Sequence, residues 1–497
     1  MKTSSGADCS RHNSTAPFPM CVVLATSLAL GPQAWGNGRF PRAERLIEHP
    51  NDPNQLVLGG TYGLLVTKDR GQNWHFVCEA SFAHSSSYGG DSLLDFVGDG
   101  SLLASVERSI NVSSDQACDW IPTLSEPDTT IIDHTVAKSN LSTVVAAVTL
   151  THPGNSSNTL RESVDSGRTW TAFGSPLPIE ILLSIDIDPN DPRRLYATGL
   201  NGNEGRFLNS VDHGTTWTSH PIPGTDSKAV PYLAAVLPTD SNKIFVRTSG
   251  PRQVVEIGDA LLYSNDGGTT WQEIHRSYAQ MLGFALSPDA SRVLIGYGDT
   301  GPGFASLPGP LGVFESSTAQ FSFNRIYGGP VNCISWTATG IYLCSNEALN
   351  GFELAFARDS DLHAVGGCFV PILHRNEVRG PLDCAPGTSG TKCDADWPTS
   401  CQTLDACPGD AGSHPAGCVP NMPSSIVTDA AEALEGGATV ADSKDSGCAC
   451  RTSRQRNDGG ATFAFMTLIA LGFHRTRRPR ASALSRMLHS IARSSNS

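Results

Sequence analysis

Positive charge is scarce in this chain: 35 Lys and Arg stand against 48 Asp and Glu, for a formal net charge of −13. A surface of that balance does not hold a phosphate backbone, so DNA and RNA are excluded as partners. Long apolar runs are also missing; nowhere do about 20 such residues follow one another, as an ordinary membrane-spanning helix requires. Charged residues make up only 17% of the 497, while Gly and Pro number 49 and 32, which excludes a coiled coil and a solvated, wholly disordered polymer. Catalytic signatures are equally thin. There is no HExxH, no glycine loop followed by Lys, and no GxSxG elbow. His84, His134, His152 and His363 lack metal-ligand spacing, so neither a metal nor any other cofactor is expected.

Two things are abundant. The first is a recurring octet with Ser or Thr first, Asp third, Gly fifth and Trp eighth. Three copies are nearly complete, carrying Asp165, Gly167 and Trp170, then Asp212, Gly214 and Trp217, then Asp266, Gly268 and Trp271. Two more keep the frame with losses, at Asp69 and Trp74 and at Asp115 and Trp120, and weaker echoes run over 316–323 and 345–352. The aspartates are spaced by 46, 50, 47 and 54 residues, the period of a four-stranded blade. The second is a set of apolar strands starting near Leu56, Leu102, Thr143, Leu195, Ile244, Val293 and Ile341, four of them introduced by Asp, Asn and Pro turns. Seven starts predict an all-β, seven-bladed β-propeller over 37–358, with six blades as the structural rival. Within each octet, Asp is expected to accept from turn amides, Gly to take positive φ and Trp to pack on the adjoining strand.

Cysteine usage predicts an oxidising compartment. Of 14 cysteines, Cys9 and Cys21 fall in the leader, and Cys448 and Cys450 in the tail. The ten that remain are Cys78, Cys118, Cys333, Cys344, Cys368, Cys384, Cys393, Cys401, Cys407 and Cys418, an even set suited to disulfides. Cys333 and Cys344 flank strand-like sequence and are expected to staple a hairpin, Cys78 and Cys118 to join neighbouring repeats; the pairing of the six from 368 to 418 is left open. Residues 1–36, with the apolar stretch 18–30, read as a secretory signal segment. The body is followed by a disulfide-rich appendage (359–420), a flexible Ala, Asp, Ser and Gly spacer (421–447), a Cys, apolar and Arg segment (448–480) and a tail (481–497).

The octets resemble the Asp-box, or BNR, repeat of sialidases, sortilin-type receptors and xyloglucan hydrolases. That resemblance implies boxes on the outer rim, between the third and fourth strands of each blade, away from chemistry on the central face. The order Cys448, Cys450, apolar run and Arg475 to Arg480 resembles the C-terminal surface-sorting signal of myxobacterial proteins, which implies delivery to the cell surface with a passing membrane contact.

Sialidases carry an arginine triad that begins in an Arg-Ile-Pro motif. Here the matching region reads Gly38-Arg39-Phe40-Pro41, and no arginine triad announces itself. A different glycosidase needs two facing carboxylates. Asp95, Asp99, Asp186 and Asp188 lie in or beside blade-start strands, and Asp186 and Asp188 are the catalytic candidates because alternation puts both on one strand face. Loops at 201–206, 249–259 and 299–311 are read as the longest interruptions, and Phe207, Tyr297 and Phe304 as aromatic binding candidates beside them. Non-catalytic recognition of an extracellular glycan or protein by a monomeric, exported module is the expected function; glycoside hydrolysis of an extracellular polysaccharide is the alternative.

Overall fold

The computed structural model describes residues 42–82, 92–152, 155–250, 258–298, 310–404 and 406–407. The signal segment, the spacer, the sorting segment, Phe304 and Cys418 lie outside the described residues.

Seven antiparallel sheets follow one another along the chain, each a meander of four consecutive strands. Blade 1 consists of Ala43–His49, Asp52–Gly60, Gly63–Thr67 and Trp74–Val77; blades 2 to 6 occupy 93–124, 129–173, 181–221, 230–277 and 280–327. Blade 7 runs over 333–373 and takes its outer strand, Val370–Leu373, from the segment assigned to the appendage, so the propeller extends beyond residue 358. First strands touch first strands of neighbouring blades, placing them at the axis. The fold is a seven-bladed β-propeller.

Second strands carry the apolar signal because both their faces are covered. Leu102–Val106 is buried at every position, and so is Ile341–Cys344; burial on both faces makes a strand read as an unbroken apolar run. Sandwiched sheets then share cores: Leu103, Val112 and Leu124 of blade 2 meet Val144, Ala146 and Val148 of blade 3.

The five octets lie between third and fourth strands. In blade 3, the Asp165 carboxylate accepts from the Ser163 hydroxyl (2.8 Å), the Thr169 amide (2.8 Å) and the Thr169 hydroxyl (2.6 Å). Gly167, at φ 80°, donates its amide to Ser163 Oγ and receives the Trp170 indole N–H on its carbonyl. A Cβ at Gly167 would stand 2.7 Å from Leu103 of blade 2, so the turn is pressed into the preceding blade. Ala117 holds the same left-handed conformation in blade 2 at φ 75°, which is how that octet keeps its shape without glycine. The echo at 345–352 is different. It falls between the second and third strands of blade 7, where a short helix, Glu347–Asn350, replaces the octet turn.

Each blade is one continuous stretch, so no strand of one blade completes another across the seam between blades 7 and 1. Side chains close it instead: the Tyr62 hydroxyl donates to Glu353 (3.0 Å) and the Thr339 hydroxyl to Glu48 (2.8 Å). Glu353 is fully buried beside Arg375, and burial pushes its carboxyl up to about 7.

The chain then crosses the seam. Val378–Pro381 adds to blade 1 as a fifth strand, parallel to Trp74–Val77. Cys384 bonds Cys118 of blade 2, and Cys393, at the start of helix Lys392–Leu404, bonds Cys78 of blade 1. Cys78 and Cys118 therefore join the appendage to the disc, not one repeat to the next. Trp397 packs on Phe76 at 5.4 Å, and the Ser389 amide donates to Asp119. The hairpin disulfide Cys333–Cys344 is present, Cys401 pairs with Cys407, and Cys368 is also disulfide-bonded. These bonds fit an exported protein. Among the described residues no helix is long and apolar enough to cross a membrane.

Candidate functional site

The first strands bring an arc of polar groups to the axis. Arg45 of blade 1 donates to both carboxylate oxygens of Asp95 in blade 2, at 3.2 Å each. On its other side Asp95 meets His134 Nε2 of blade 3 at 3.2 Å, and His134 Nδ1 lies 2.7 Å from the Ser105 hydroxyl. Asp133 of blade 3 accepts two amides, from His134 and from Ile185 of blade 4, both at 2.9 Å. Asp186 of blade 4 accepts from the Thr135 hydroxyl (2.9 Å) and the Ile187 amide (2.8 Å) through one oxygen. Blade 5 follows with Tyr232, over which the Arg247 guanidinium sits at 5.2 Å while donating to the Met281 carbonyl of blade 6.

Alternation sends the adjacent residues Asp133 and His134 to opposite faces of blade 3, so that Asp133 meets Ile185 of blade 4 while His134 meets Asp95 and Ser105 of blade 2. The Asp95 side chain keeps 26% of its surface exposed and Arg45 43%, while His134 is fully covered. Solvent therefore reaches Arg45 and Asp95 but not His134.

Their proton affinities diverge. Burial raises Asp133 to about 6, only partly offset by the Ile185 amide, His134 and Arg45, and Asp186 adds to the rise. Burial also raises Asp186, against Lys138 and Thr135. Burial would raise Asp95 too, but Arg45 and His134 outweigh it and hold that carboxyl below its ordinary value.

The structure separates the two catalytic candidates. Asp186 stands half-buried on the first strand of blade 4, Ile181–Ile187, whereas Asp188 lies past the end of that strand and is fully buried. It accepts from the Tyr196 hydroxyl (2.8 Å) and the amides of Asn190 and Asp191, fixing the turn into the next strand. Asp186 gains Asp133 and Asp95 as neighbours from other blades instead.

The aromatic candidates move inward. Phe207 is fully buried, 5.4 Å from Trp271 and directly under Gly268 of blade 5, so it is the knob on which the next octet seats. Tyr297 is fully buried, with its hydroxyl 2.8 Å from His275 Nδ1. The 201–206 segment is a tight hairpin, Asn201 paired with Glu204, not a long loop.

A further cluster was not legible in the sequence. Glu315 of blade 6 and Asp359 and His363 of blade 7 lie within ligating reach of one another. Arg292 occupies the space between the acids, 2.8 Å from Glu315 and paired through both terminal nitrogens with Asp359. A cation there must displace an arginine, so the cluster works as an ion-pair pin between blades.

Neither a family model nor a curated protein matches the chain. Among solved structures, the extracellular domain of a protein described as a one-component system from B. thetaiotaomicron is similar at 12% identity and a TM-score of 0.44, over 64% of this chain and 38% of that one. A GH74 xyloglucanase from Xanthomonas campestris matches at 17% identity and 0.32, over 65% of this chain and 63% of that one. A Hadza microbial sialidase matches at 16% and 0.36, over 58% and 70%. The chain thus spans less than two thirds of the length of the first two. Likenesses at this level say nothing about activity.

Proposed function

We propose that the chain is an exported, non-catalytic recognition module for an extracellular glycan or protein, acting as a monomer at the cell envelope. The observation that carries this reading is the use to which the axial carboxylates are put. Asp95 is engaged through both oxygens by Arg45, and Asp133 through both by backbone amides, so these acids hold adjacent blades in register. All three acids stand on neighbouring blades 2, 3 and 4, side by side along one wall. A glycosidase needs two carboxyl groups on opposite sides of the scissile bond. The disulfides and the Cys448 to Arg480 segment support an envelope address.

Hydrolysis keeps one supporting observation, the split between Asp133 at about 6 and Asp95 below its ordinary value, which is how an acid and a base are set apart. The full-length chain, made in an oxidising compartment, is tested on glycan and peptide arrays and for release of reducing sugar. Binding without release is the expected result. Cleavage that Asp133→Asn and Asp186→Asn abolish, with melting unchanged, overturns it.

A further inference from the structure

Octets seal the rim of blades 1 to 5, but the corresponding stretch of blade 6, residues 316–323, has Thr318 in the acidic place and Gln320 in the glycine place. Beside it the structure opens a groove of about 540 Å³ between the outer edges of blades 5 and 6. That volume lies within the range of small-molecule sites. Its lining is mainly polar, with the half-buried Phe321 beneath, packed 4.6 Å from Tyr263; Tyr263 and Phe245 behind it are buried in the core. Phe321 is held at φ 52°, a left-handed conformation that a bulky residue adopts only when its surroundings force it, and such strain gathers at ligand sites.

Three amide side chains, Asn265, Gln272 and Gln320, line the walls. All three residues are exposed, and none of their side chains makes a hydrogen bond among the described residues. Each amide offers a donor and an acceptor side by side, the complement of neighbouring sugar hydroxyls. Fixed charge is largely spent: Glu273 is gripped by Arg276 at 2.6 Å, and Lys243 lies 3.8 Å from Asp240. A charged peptide or polyanion finds no unpaired counter-charge beyond that loosely held lysine. A ring with polar edges and an apolar face finds both its partners.

We infer that the blade 5–6 rim groove binds a short neutral oligosaccharide, one ring face on Phe321 and its hydroxyls on Asn265, Gln272 and Gln320. The inference rests on the recognition reading and gives that reading a site away from the axis. A groove built this way is independent of the axial acids, and the two can be separated by mutation.

The test is calorimetric titration of the full-length chain with cello-, xylo- and manno-oligosaccharides. Gln272→Ala and Gln320→Ala remove exposed amides without touching the core, so melting is expected to hold while affinity falls about tenfold for each lost hydrogen-bonding group. Asp186→Asn is expected to bind like the parent. Saccharide binding that survives both Gln variants but is lost in Asp186→Asn overturns the groove and leaves recognition standing at the axis. Binding of peptides alone, lost in the Gln variants, overturns the saccharide class. Failure of all three sugar series overturns the inference, and the peptide array then decides separately whether recognition stands.

Discussion

Cutting Cys118–Cys384 with the double substitution Cys118→Ser and Cys384→Ser tests whether the chain beyond blade 7 clasps the ring. The bond joins blade 2 to a segment 266 residues later, and Cys78–Cys393 joins blade 1 to one 315 residues later. With the second bond intact, the first closes a loop of about 50 residues, for which chain entropy gives about 4 kcal/mol. The described body has an unfolding entropy near 0.7 kcal/mol/K on the usual per-residue value, so the melting temperature should fall by roughly 6 °C. Removing both bonds opens a loop of about 300 residues and adds about 6 kcal/mol, for a total fall near 14 °C. Differential scanning calorimetry reads both. Limited proteolysis should cut first between Arg375 and Cys393 in the variant that lacks both bonds, because that segment is then held by the parallel pairing of Val378–Pro381 and a few non-covalent contacts such as Trp397 on Phe76. A melting temperature within about 1 °C of the parent in both variants would show that the seam is held by its side chains, and the clasp argument would be wrong.

Gly167→Ala should destabilise more than Asp165→Ala. The first forces a Cβ to within 2.7 Å of Leu103 at φ 80°, at a cost of about 2–3 kcal/mol, while the second loses hydrogen bonds at an exposed turn, about 1 kcal/mol; urea unfolding ranks them. Stability should peak near pH 4 and fall from there towards pH 7. Asp133 and Asp259, raised to about 6, and Glu353, raised to about 7, contribute fully below their unfolded values and lose that contribution as pH rises through the folded ones. Asp165 and Asp266, lowered to about 2, contribute above their unfolded values and lose it as pH falls. Melting temperatures from pH 3 to pH 8 check the shape, and Glu353→Gln should flatten the alkaline limb.

The features that a sequence exposes are those written locally. Octets close within eight residues, and each second strand carries a short apolar run, so blade number can be counted from Leu56 to Ile341. Asn201-Gly202 is a local hairpin signal as well, which reading 201–206 as a long loop overlooks. What stays hidden is assembled across blades. Asp95, Asp133 and Asp186 each look like a lone acid on an apolar strand, and only closure of the ring sets them beside Arg45 and His134. Phe207 looks like a ligand-facing aromatic because its burial depends on Gly268, sixty-one residues on in the next blade. Val370–Leu373 escapes notice as a strand because it is short, contains Pro371 and leaves Val370 exposed.

Closure links the fold to its address. A propeller that shares a strand between its first and last blades closes by main-chain pairing wherever it folds. This one has a seam with a fully buried Glu353 and a clasp that depends on two disulfides. In a reducing compartment Cys78, Cys118, Cys384 and Cys393 stay thiols, and the segment from Val378 onward is retained by few main-chain bonds. The seam acid works in the same direction: Glu353 is more stable protonated, so the ring is weakest at high pH with its thiols free. Producing the chain under reducing conditions at pH 8 and then oxidising it should raise the melting temperature by at least the amount that the cysteine substitutions remove, since Cys333–Cys344, Cys401–Cys407 and the Cys368 bond form as well; repeating the oxidation on the variant that lacks both clasp bonds isolates their share, and an equal rise in that variant would show that the clasp contributes nothing.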